Sequence, residues 1–363
     1  MTSGKIKWNP GHYMASNGVV YGGKSSAFMQ WEMDDLNNQD AILGYRMFIT
    51  WGALEPTQGK YDFSAIDAAL TRLKTAYNKP KRLVIMLWLY GQGALGNNSG
   101  AVFPTYVQQN PLYGASPVAG SYGWWGKNSN GASTGMYAPA VYYQPVMDRL
   151  IALVQAMGQH LDGDPYVEGF FIQEDSTFPQ AAAGFGSVDP HYSDDALLAQ
   201  LERLLTASTA AFPHTNVIMA NSYFKGPAAA VALEQWMPAN RIAAGSADSL
   251  GQSAINSYGT SILGWGLQAY LGIPQYGGTD LRSKMTVMMD VEEPDMDGSF
   301  FNQYGGPWTP IDIINALNQT YHASHAFWTR LGGNAAAAVH WPAVAAACAA
   351  NPLIRTGYPA NYP

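Results

Sequence analysis

The chain has 363 residues and a formal net charge of −7, because 26 Asp and Glu residues outnumber 19 Lys and Arg residues. Charged residues make up only 12% of the sequence, against roughly 25% in an ordinary soluble domain. A nucleic-acid partner requires clustered Lys and Arg, so we expect none. Aromatic residues reach 13% and Gly is frequent, and an uncharged, aromatic surface of this kind suits neutral ligands rich in hydroxyl groups.

The single cysteine, Cys348, excludes an intramolecular disulfide and a Cys-based metal site. Its alanine-rich surroundings predict a small buried apolar side chain. Residues 1–8 lack the apolar stretch of a signal peptide, and no run reaches the roughly 18 apolar residues of a membrane span. We therefore expect no membrane partner, and the sequence leaves the native compartment open, a secreted or periplasmic one included.

Eight short apolar runs, each ending in polar or aromatic residues, recur along the whole chain. Continuous rather than alternating apolar runs are typical of parallel strands that are covered on both faces. The predicted strands span residues 5–12, 44–51, 82–90, 167–174, 216–223, 241–248, 286–293 and 335–341.

Segments with helical spacing of apolar residues lie between these runs, at 65–77, 144–161, 194–212 and 310–331. Strands that alternate with helices indicate parallel βαβ units. Eight such units in one chain predict an α/β fold, a single (β/α)8 TIM barrel over residues 1–363. Residues 91–142 are rich in Gly, Asn, Ser and Pro, and we interpret them as an elaborated loop after the third strand.

Acidic residues end the fourth and the seventh predicted strands, as Gln173-Glu174 and Glu292-Glu293. Active sites of (β/α)8 barrels lie at the carboxyl ends of the strands. Strands four and seven face one another across a closed eight-stranded barrel. We therefore expect one carboxylate from each strand to converge at the mouth.

The alternation of side chains along a strand selects Glu292 rather than Glu293. If Glu292 points into the barrel, so does Asp290, and Val287, Met289 and Val291 are left to pack under the helices. The opposite orientation would bury two carboxylates against those helices, which is costly without partners. Glu174 and Glu292 are therefore the predicted catalytic pair.

The second predicted strand carries a longer motif, Arg46, Trp51, Glu55-Pro56, Gly59, Tyr61-Asp62-Phe63 and Asp67. This segment resembles the R-x(3–4)-W-x3-EP-x2-G-x-YDF-x3-D segment of glycoside hydrolase clan A. The clan comprises retaining (β/α)8 glycosidases that include β-galactosidases, β-xylosidases and endoglucanases. The resemblance implies a retaining glycosidase that cleaves β-linked, neutral oligo- or polysaccharides.

The resemblance also implies roles for individual residues. Glu174 matches the acid/base of the clan and Glu292 its nucleophile, while Trp341 matches the tryptophan that often ends the eighth strand. Arg46 matches the arginine that holds the nucleophile ionised, with a plain salt bridge to Glu55 as its alternative. The clan usually has Asn before its acid/base. Gln173 keeps that amide at a longer reach, and the family within the clan stays unassigned.

The remaining candidates are substrate-binding side chains at other predicted strand ends, namely His12, Trp88, Asn221, Tyr223 and Asp248. The mechanism requires two carboxylates roughly 5 to 5.5 Å apart and neither a cofactor nor a metal. Two other functions stay open. One is a carbohydrate-binding barrel without turnover. The other is a metal-assisted hydrolase using Asp290, Glu292, Glu293 and Asp295, which the lack of nearby His disfavours.

Overall fold

The computed structural model describes residues 5–20, 32–89, 102–113, 139–172, 192–220, 224, 227–246, 280–291, 308–330 and 335–362. Eight parallel strands form a closed barrel in chain order, and β8 pairs with β1 to close it. The strands are β1 Gly11–Val20, β2 Ile42–Thr50, β3 Arg82–Trp88, β4 Val167–Ile172, β5 Asn216–Met219, β6 Ile242–Ser246, β7 Val287–Val291 and β8 His325–Thr329. This architecture confirms the predicted (β/α)8 barrel.

Helices lie between the strands in chain order. They are α1 Trp51–Leu54, α2 Ser64–Thr75, α3 Thr105–Gln109, α4 Gln144–Leu161, α5 Asp194–Ala211, α6 Pro227–Trp236, α7 Pro310–Ala316 and α8 Ala335–Ala350. Short 3-10 turns span Pro111–Tyr113 and Met237–Asn240. Of the predicted loop 91–142, the structure describes 102–113 and 139–142, which hold α3 and one of these turns. None of the described helices is long and apolar enough to cross a membrane.

The first strand begins later than predicted. The apolar run at 5–12 mostly precedes β1 and covers the amino end of the barrel. There the backbone N–H of Ile6 donates to the Tyr358 hydroxyl (3.0 Å), and Lys7 Nζ donates to the carbonyls of Asp162 and Asp164 (3.0 Å each). The apolar character of this run reflects packing beneath the barrel rather than a place in the sheet.

The eighth strand was predicted in the wrong segment. Residues 335–341 lie in α8, as their alanine content favours. The predicted helix 310–331 instead ends early: α7 passes into a π-helical turn, Leu317–Tyr321. His322 follows with a left-handed backbone (φ 52°), and the aromatic and β-branched run His325–Thr329 forms β8.

Side chains alternate between two apolar layers. The outer layer packs between the sheet and the helices, and the inner layer fills the barrel. Gly245 on β6 makes room inside, because a Cβ there would lie 2.7 Å from the ring of Phe171. The inner layer consists of Tyr13, Ala15, Phe48, Val84, Met86, Phe171, Ile218, Ala220, Ala243, Met288 and Phe327.

A polar network closes the amino end of the barrel around the buried carboxylate of Glu168. Asn9 donates to it from its backbone N–H (2.8 Å) and from Nδ2 (2.7 Å). His325 Nε2 lies 3.4 Å from one carboxylate oxygen and Arg82 Nη1 lies 3.5 Å from the other. Because a buried carboxylate is costly unless paired, this network ties the chain before β1 to β4 and β8.

Candidate active site

The orientation of β7 is set by its burial pattern. Met288 belongs to the inner layer, while Val287, Met289 and Val291 belong to the outer layer. Asp290 is fully buried and meets Arg46 of β2. These residues alternate as the sequence analysis expected. Glu292 follows Val291 and lies outside the described residues.

Arg46 and Asp290 form an ion pair inside the barrel, with both side chains fully buried. Three aromatic rings surround the guanidinium: its Cζ lies 4.4 Å from the ring centroid of Phe48, 5.8 Å from that of Phe171 and 5.7 Å from that of Phe327. A buried charge in such surroundings requires a partner. The described partner of Arg46 is therefore Asp290, two residues before Glu292.

The alternative partner of Arg46, Glu55, is engaged elsewhere, so that alternative was wrong. Glu55 is fully buried and accepts hydrogen bonds from Trp51 Nε1 (2.9 Å) and from the backbone N–H of Gly59 (2.7 Å). It also forms an ion pair with Arg149 of α4. Gly59 has φ +71°, which favours glycine. Trp51, Glu55 and Gly59 of the motif thus share a structural role. They hold together the turn that follows β2, and the ion pair of Glu55 with Arg149 attaches this turn to α4.

β4 brings its carboxyl end to the same mouth. Phe171 belongs to the inner layer and Ile172 to the outer layer, and Ile172 pairs with Leu87 of β3 and Met219 of β5. Gln173 and Glu174 follow directly and lie outside the described residues.

Trp88 lies at the carboxyl end of β3, as predicted. Its ring is half-buried and meets Phe48 edge to face, with the ring centroids 4.8 Å apart. Phe48 in turn contacts the guanidinium of Arg46. Trp88 thus lies on the mouth side of the Arg46–Asp290 pair and packs against it through Phe48.

His12 does not lie at the mouth, and its predicted position was wrong because β1 begins at Gly11. It is the second residue of the strand, at the amino end. Its Nε2 donates to the carbonyl of Asn351 (3.0 Å), and its Nδ1 accepts from Trp328 Nε1 (3.1 Å). Burial lowers the pKa of His12, so this side chain is a neutral packing element.

Trp341 does not end a strand either. It lies inside α8, is 5% exposed and packs in the outer layer between sheet and helices. The strand that it was expected to end is β8, whose last residue, Thr329, is buried. Phe327 of β8 contacts the Arg46 guanidinium and was not among the residues predicted from the sequence. Its signal was the aromatic and β-branched run 325–329.

Several predicted site residues lie outside the described part of the chain, namely Gln173, Glu174, Asn221, Tyr223, Asp248 and Glu292. Among the described residues, no group of three His, Cys, Asp or Glu side chains is placed to hold a metal ion. In the described part of the chain, residues of β2, β3, β4, β7 and β8 surround this region: the Arg46–Asp290 ion pair, the rings of Phe48, Phe171 and Phe327 beside it, and Trp88 against Phe48.

No protein-family model and no curated protein matches this chain. Solved structures do match. The catalytic domain of a β-amylase from Paenibacillus polymyxa aligns at a TM-score of 0.53 with 9% identity, over 90% of this chain and 93% of that one. A GH5_18 protein of Streptomyces cattleya in complex with Manβ1-4GlcNAc aligns at 0.51 with 13% identity, over 88% and 70%.

Endo-glycoceramidase II from Rhodococcus sp., solved as a lactosyl-enzyme intermediate, aligns at a TM-score of 0.51 with 13% identity, over 92% of this chain and 75% of that one. Identities this low show the fold alone. The chain thus has a closed (β/α)8 barrel whose structural neighbours are glycoside hydrolases, with the family unresolved.

Proposed function

We propose that this chain is a retaining glycoside hydrolase that cleaves β-glycosidic bonds of a neutral oligo- or polysaccharide. The observation that carries the proposal is the orientation of β7. Asp290 faces the barrel interior and Val291 the helices, which supports Glu292 as the next inward residue if the alternation continues beyond Val291. Glycoside hydrolases as structural neighbours support the same class of reaction.

In this proposal Glu292 is the nucleophile and Glu174 the acid and then the base. The ionised Glu292 attacks the anomeric carbon while Glu174 gives its proton to the leaving oxygen. A glycosyl ester on Glu292 forms, and Glu174 then removes a proton from the water that hydrolyses it. A lactosyl-enzyme intermediate was obtained for the glycoceramidase neighbour, so a covalent step is accessible to a barrel of this shape.

Arg46 supports the nucleophile from below in this proposal, although Asp290 shares its charge. Asp290 and Glu292 are two residues apart on one strand, a separation of about 6.6 Å along an extended chain. The pair below the nucleophile is neutral as a unit. Because Asp290 already neutralises Arg46, we expect the solvated mouth to keep Glu292 ionised, rather than a full unshared positive charge.

The sugar would be held by side chains around the mouth. Trp88 offers a ring face for stacking, and Gln173, Asn221, Tyr223 and Asp248 offer polar atoms for hydroxyl groups. A chain with only 12% charged residues suits an uncharged glycan. We propose neither a cofactor nor a metal for this reaction, because two carboxylates supply both the nucleophile and the proton transfers.

A panel of aryl β-glycosides and neutral β-glucans, galactans and mannans tests the proposal. We expect turnover of at least one substrate, with Glu174→Gln and Glu292→Gln each lowering kcat by several orders of magnitude. Glu293→Gln is the matched control and should retain turnover within about tenfold. An active Glu292→Gln beside an inactive Glu293→Gln would move the nucleophile by one residue.

The same panel separates the two alternatives. Binding of glycans without hydrolysis would indicate a carbohydrate-binding barrel that lacks turnover. Loss of activity in EDTA, restored by a divalent ion, would indicate a metal-assisted hydrolase. We expect EDTA to leave the rates unchanged, since protein carboxylates perform every step.

A further inference from the structure

A cavity of 430 Å³ lies at the amino ends of β7 and β8. Three segments line it: the turn before β7, the turn before β8 and the chain after α8. The lining residues are Arg282, Ser283, Asn318, His322, Ile354 and Arg355. Active sites of (β/α)8 barrels lie at the carboxyl ends of the strands, so this cavity is at the opposite end of the barrel from the candidate active site.

Hydrogen bonds between the three segments fix the shape of the cavity. The backbone N–H of Ile354 donates to Asn318 Oδ1 (3.0 Å), and Arg355 Nη1 donates to the carbonyl of His322 (3.1 Å). Arg282 Nη1 donates to the carbonyl of Thr320 (2.9 Å). The first two bonds join the chain after α8 to the turn before β8, and the third joins Arg282 in the turn before β7 to the turn before β8, so hydrogen bonds link all three segments.

The lining side chains include two guanidinium groups and one imidazole but no carboxylate. Arg282 is balanced by Asp280, which accepts from Nε (2.9 Å) and Nη2 (2.7 Å). The hydrogen bonds from Arg282 lower the pKa of Asp280 to about 2, so that carboxylate stays ionised. Arg355, in contrast, has no acidic partner of this kind: no described carboxylate oxygen lies within 4 Å of its guanidinium nitrogens.

Arg355 is therefore a half-buried cation without a counter-ion in the described part of a chain whose net charge is −7. One of its five N–H groups donates a hydrogen bond to the His322 carbonyl. The other four have no acceptor among the described residues. A cavity with more donors than acceptors and a net positive charge favours a ligand that carries negative charge and accepts hydrogen bonds.

We propose that this cavity binds the oxyanion of a small ligand, a carboxylate or a phosphate, with Arg355 as its principal cation. A guanidinium edge matches two oxygens of such a group in a bidentate arrangement. Ser283 adds a hydroxyl, and Ile354, 70% exposed, adds an apolar edge. The apolar edge favours an oxyanion attached to a carbon skeleton. This site stands apart from the proposed glycosidase activity and does not depend on it.

Isothermal titration calorimetry of the full chain at constant ionic strength tests the proposal, with inorganic phosphate, glucuronate and neutral glucose as probes. We expect saturable binding of phosphate, glucuronate or both at one site, and none of glucose. Arg355→Gln keeps a donor for the His322 carbonyl but removes the charge. It should weaken binding about tenfold or more, while Arg355→Lys should give an intermediate loss.

Arg203→Met is the matched control, because Arg203 is an exposed arginine paired with Asp148 far from the cavity. It should leave the affinity unchanged. Tighter binding of glucuronate than of phosphate would identify a carboxylate ligand, and the reverse order a phosphate ligand. The proposal is overturned if neither anion binds saturably, if glucose binds as well as they do, or if folded Arg355→Gln and Arg355→Lys both bind like the wild type.

Discussion

Arg46 on β2 and Asp290 on β7 reach across the barrel and neutralise each other inside a ring of aromatic side chains. The interior of such a barrel is ordinarily filled by apolar side chains. Removing Asp290 from an ion pair at this depth is costly, because the buried Arg46 charge then lacks its described partner. The pair also fixes the orientation of β7, because it holds Asp290 turned into the barrel.

Asp290→Asn tests the energetic side of this relationship. Removing the carboxylate leaves the Arg46 charge buried without its partner, so we expect a loss of about 3–5 kcal/mol in the free energy of unfolding. Urea denaturation at neutral pH measures it. Asp195→Asn, at an exposed position on α5, is the control and should change stability by no more than about 0.5 kcal/mol. The double variant Arg46→Met/Asp290→Asn should recover part of the loss.

Glu55→Gln tests the structural role assigned to the motif after β2. The amide cannot satisfy Trp51, Gly59 and Arg149 together, so we expect a loss of about 2 kcal/mol in the free energy of unfolding. Turnover of the folded enzyme should stay within about threefold, measured at saturating substrate. Glu202→Gln on α5 is the control. A folded Glu55→Gln enzyme without activity would contradict the structural assignment and place Glu55 in the site.

Glu234 on α6 gives stability a dependence on pH. Burial raises the pKa of Glu234 to about 8, and its Oε2 has no hydrogen-bond partner among the described residues. The folded state therefore holds a proton that the unfolded state releases near its ordinary pKa, about 4.3. Stability contributed by this group is present below that value and declines as pH rises towards 8. Glu234→Gln should flatten the stability profile between pH 5 and 8, measured by thermal unfolding, and an unchanged slope would contradict the assignment.

His12→Asn separates packing from catalysis. His12 bonds Asn351 and Trp328 at the amino end of the barrel, so we expect a lower melting temperature and unchanged kcat for the folded fraction. Burial lowers the pKa of His12, so wild-type stability should fall as pH drops through the ordinary His value, about 6.5, where the unfolded state gains a proton. The variant should lose less stability on acidification. A large drop in kcat would contradict this packing role and indicate that His12 takes part in catalysis.

The strength of local patterns decided which elements the sequence predicted well. The helix predicted at 144–161 is α4, Gln144–Leu161, because its apolar stripe is long and regular. β8 was missed because His325–Thr329 has only five residues, and an apolar pattern this short does not distinguish a strand from a helix. The alanine-rich run at 335–341 competed for the same role. The first strand was predicted too early in the chain, because Ile6 and Trp8 are apolar residues that pack beneath the barrel and not in the sheet.

The candidate site was predictable only as far as strand alternation reaches. Alternation gave the inward face of Asp290 from the sequence of β7 alone. The pairing of Asp290 with Arg46 depends on the registers of the strands around the barrel, which no local pattern contains. His12 and Trp341 were placed wrongly because each inherited the error of the strand to which it was assigned.

The most direct test of the central claim is the anomeric configuration of the first product. Glu174 and Glu292 at the ends of β4 and β7 should act as acid and nucleophile roughly 5 to 5.5 Å apart, too close for a water between base and sugar. Proton NMR of a fresh hydrolysate of a β-glycoside, recorded before mutarotation, should show the β-anomer first. The α-anomer as first product would contradict double displacement and remove Glu292 from the role of nucleophile.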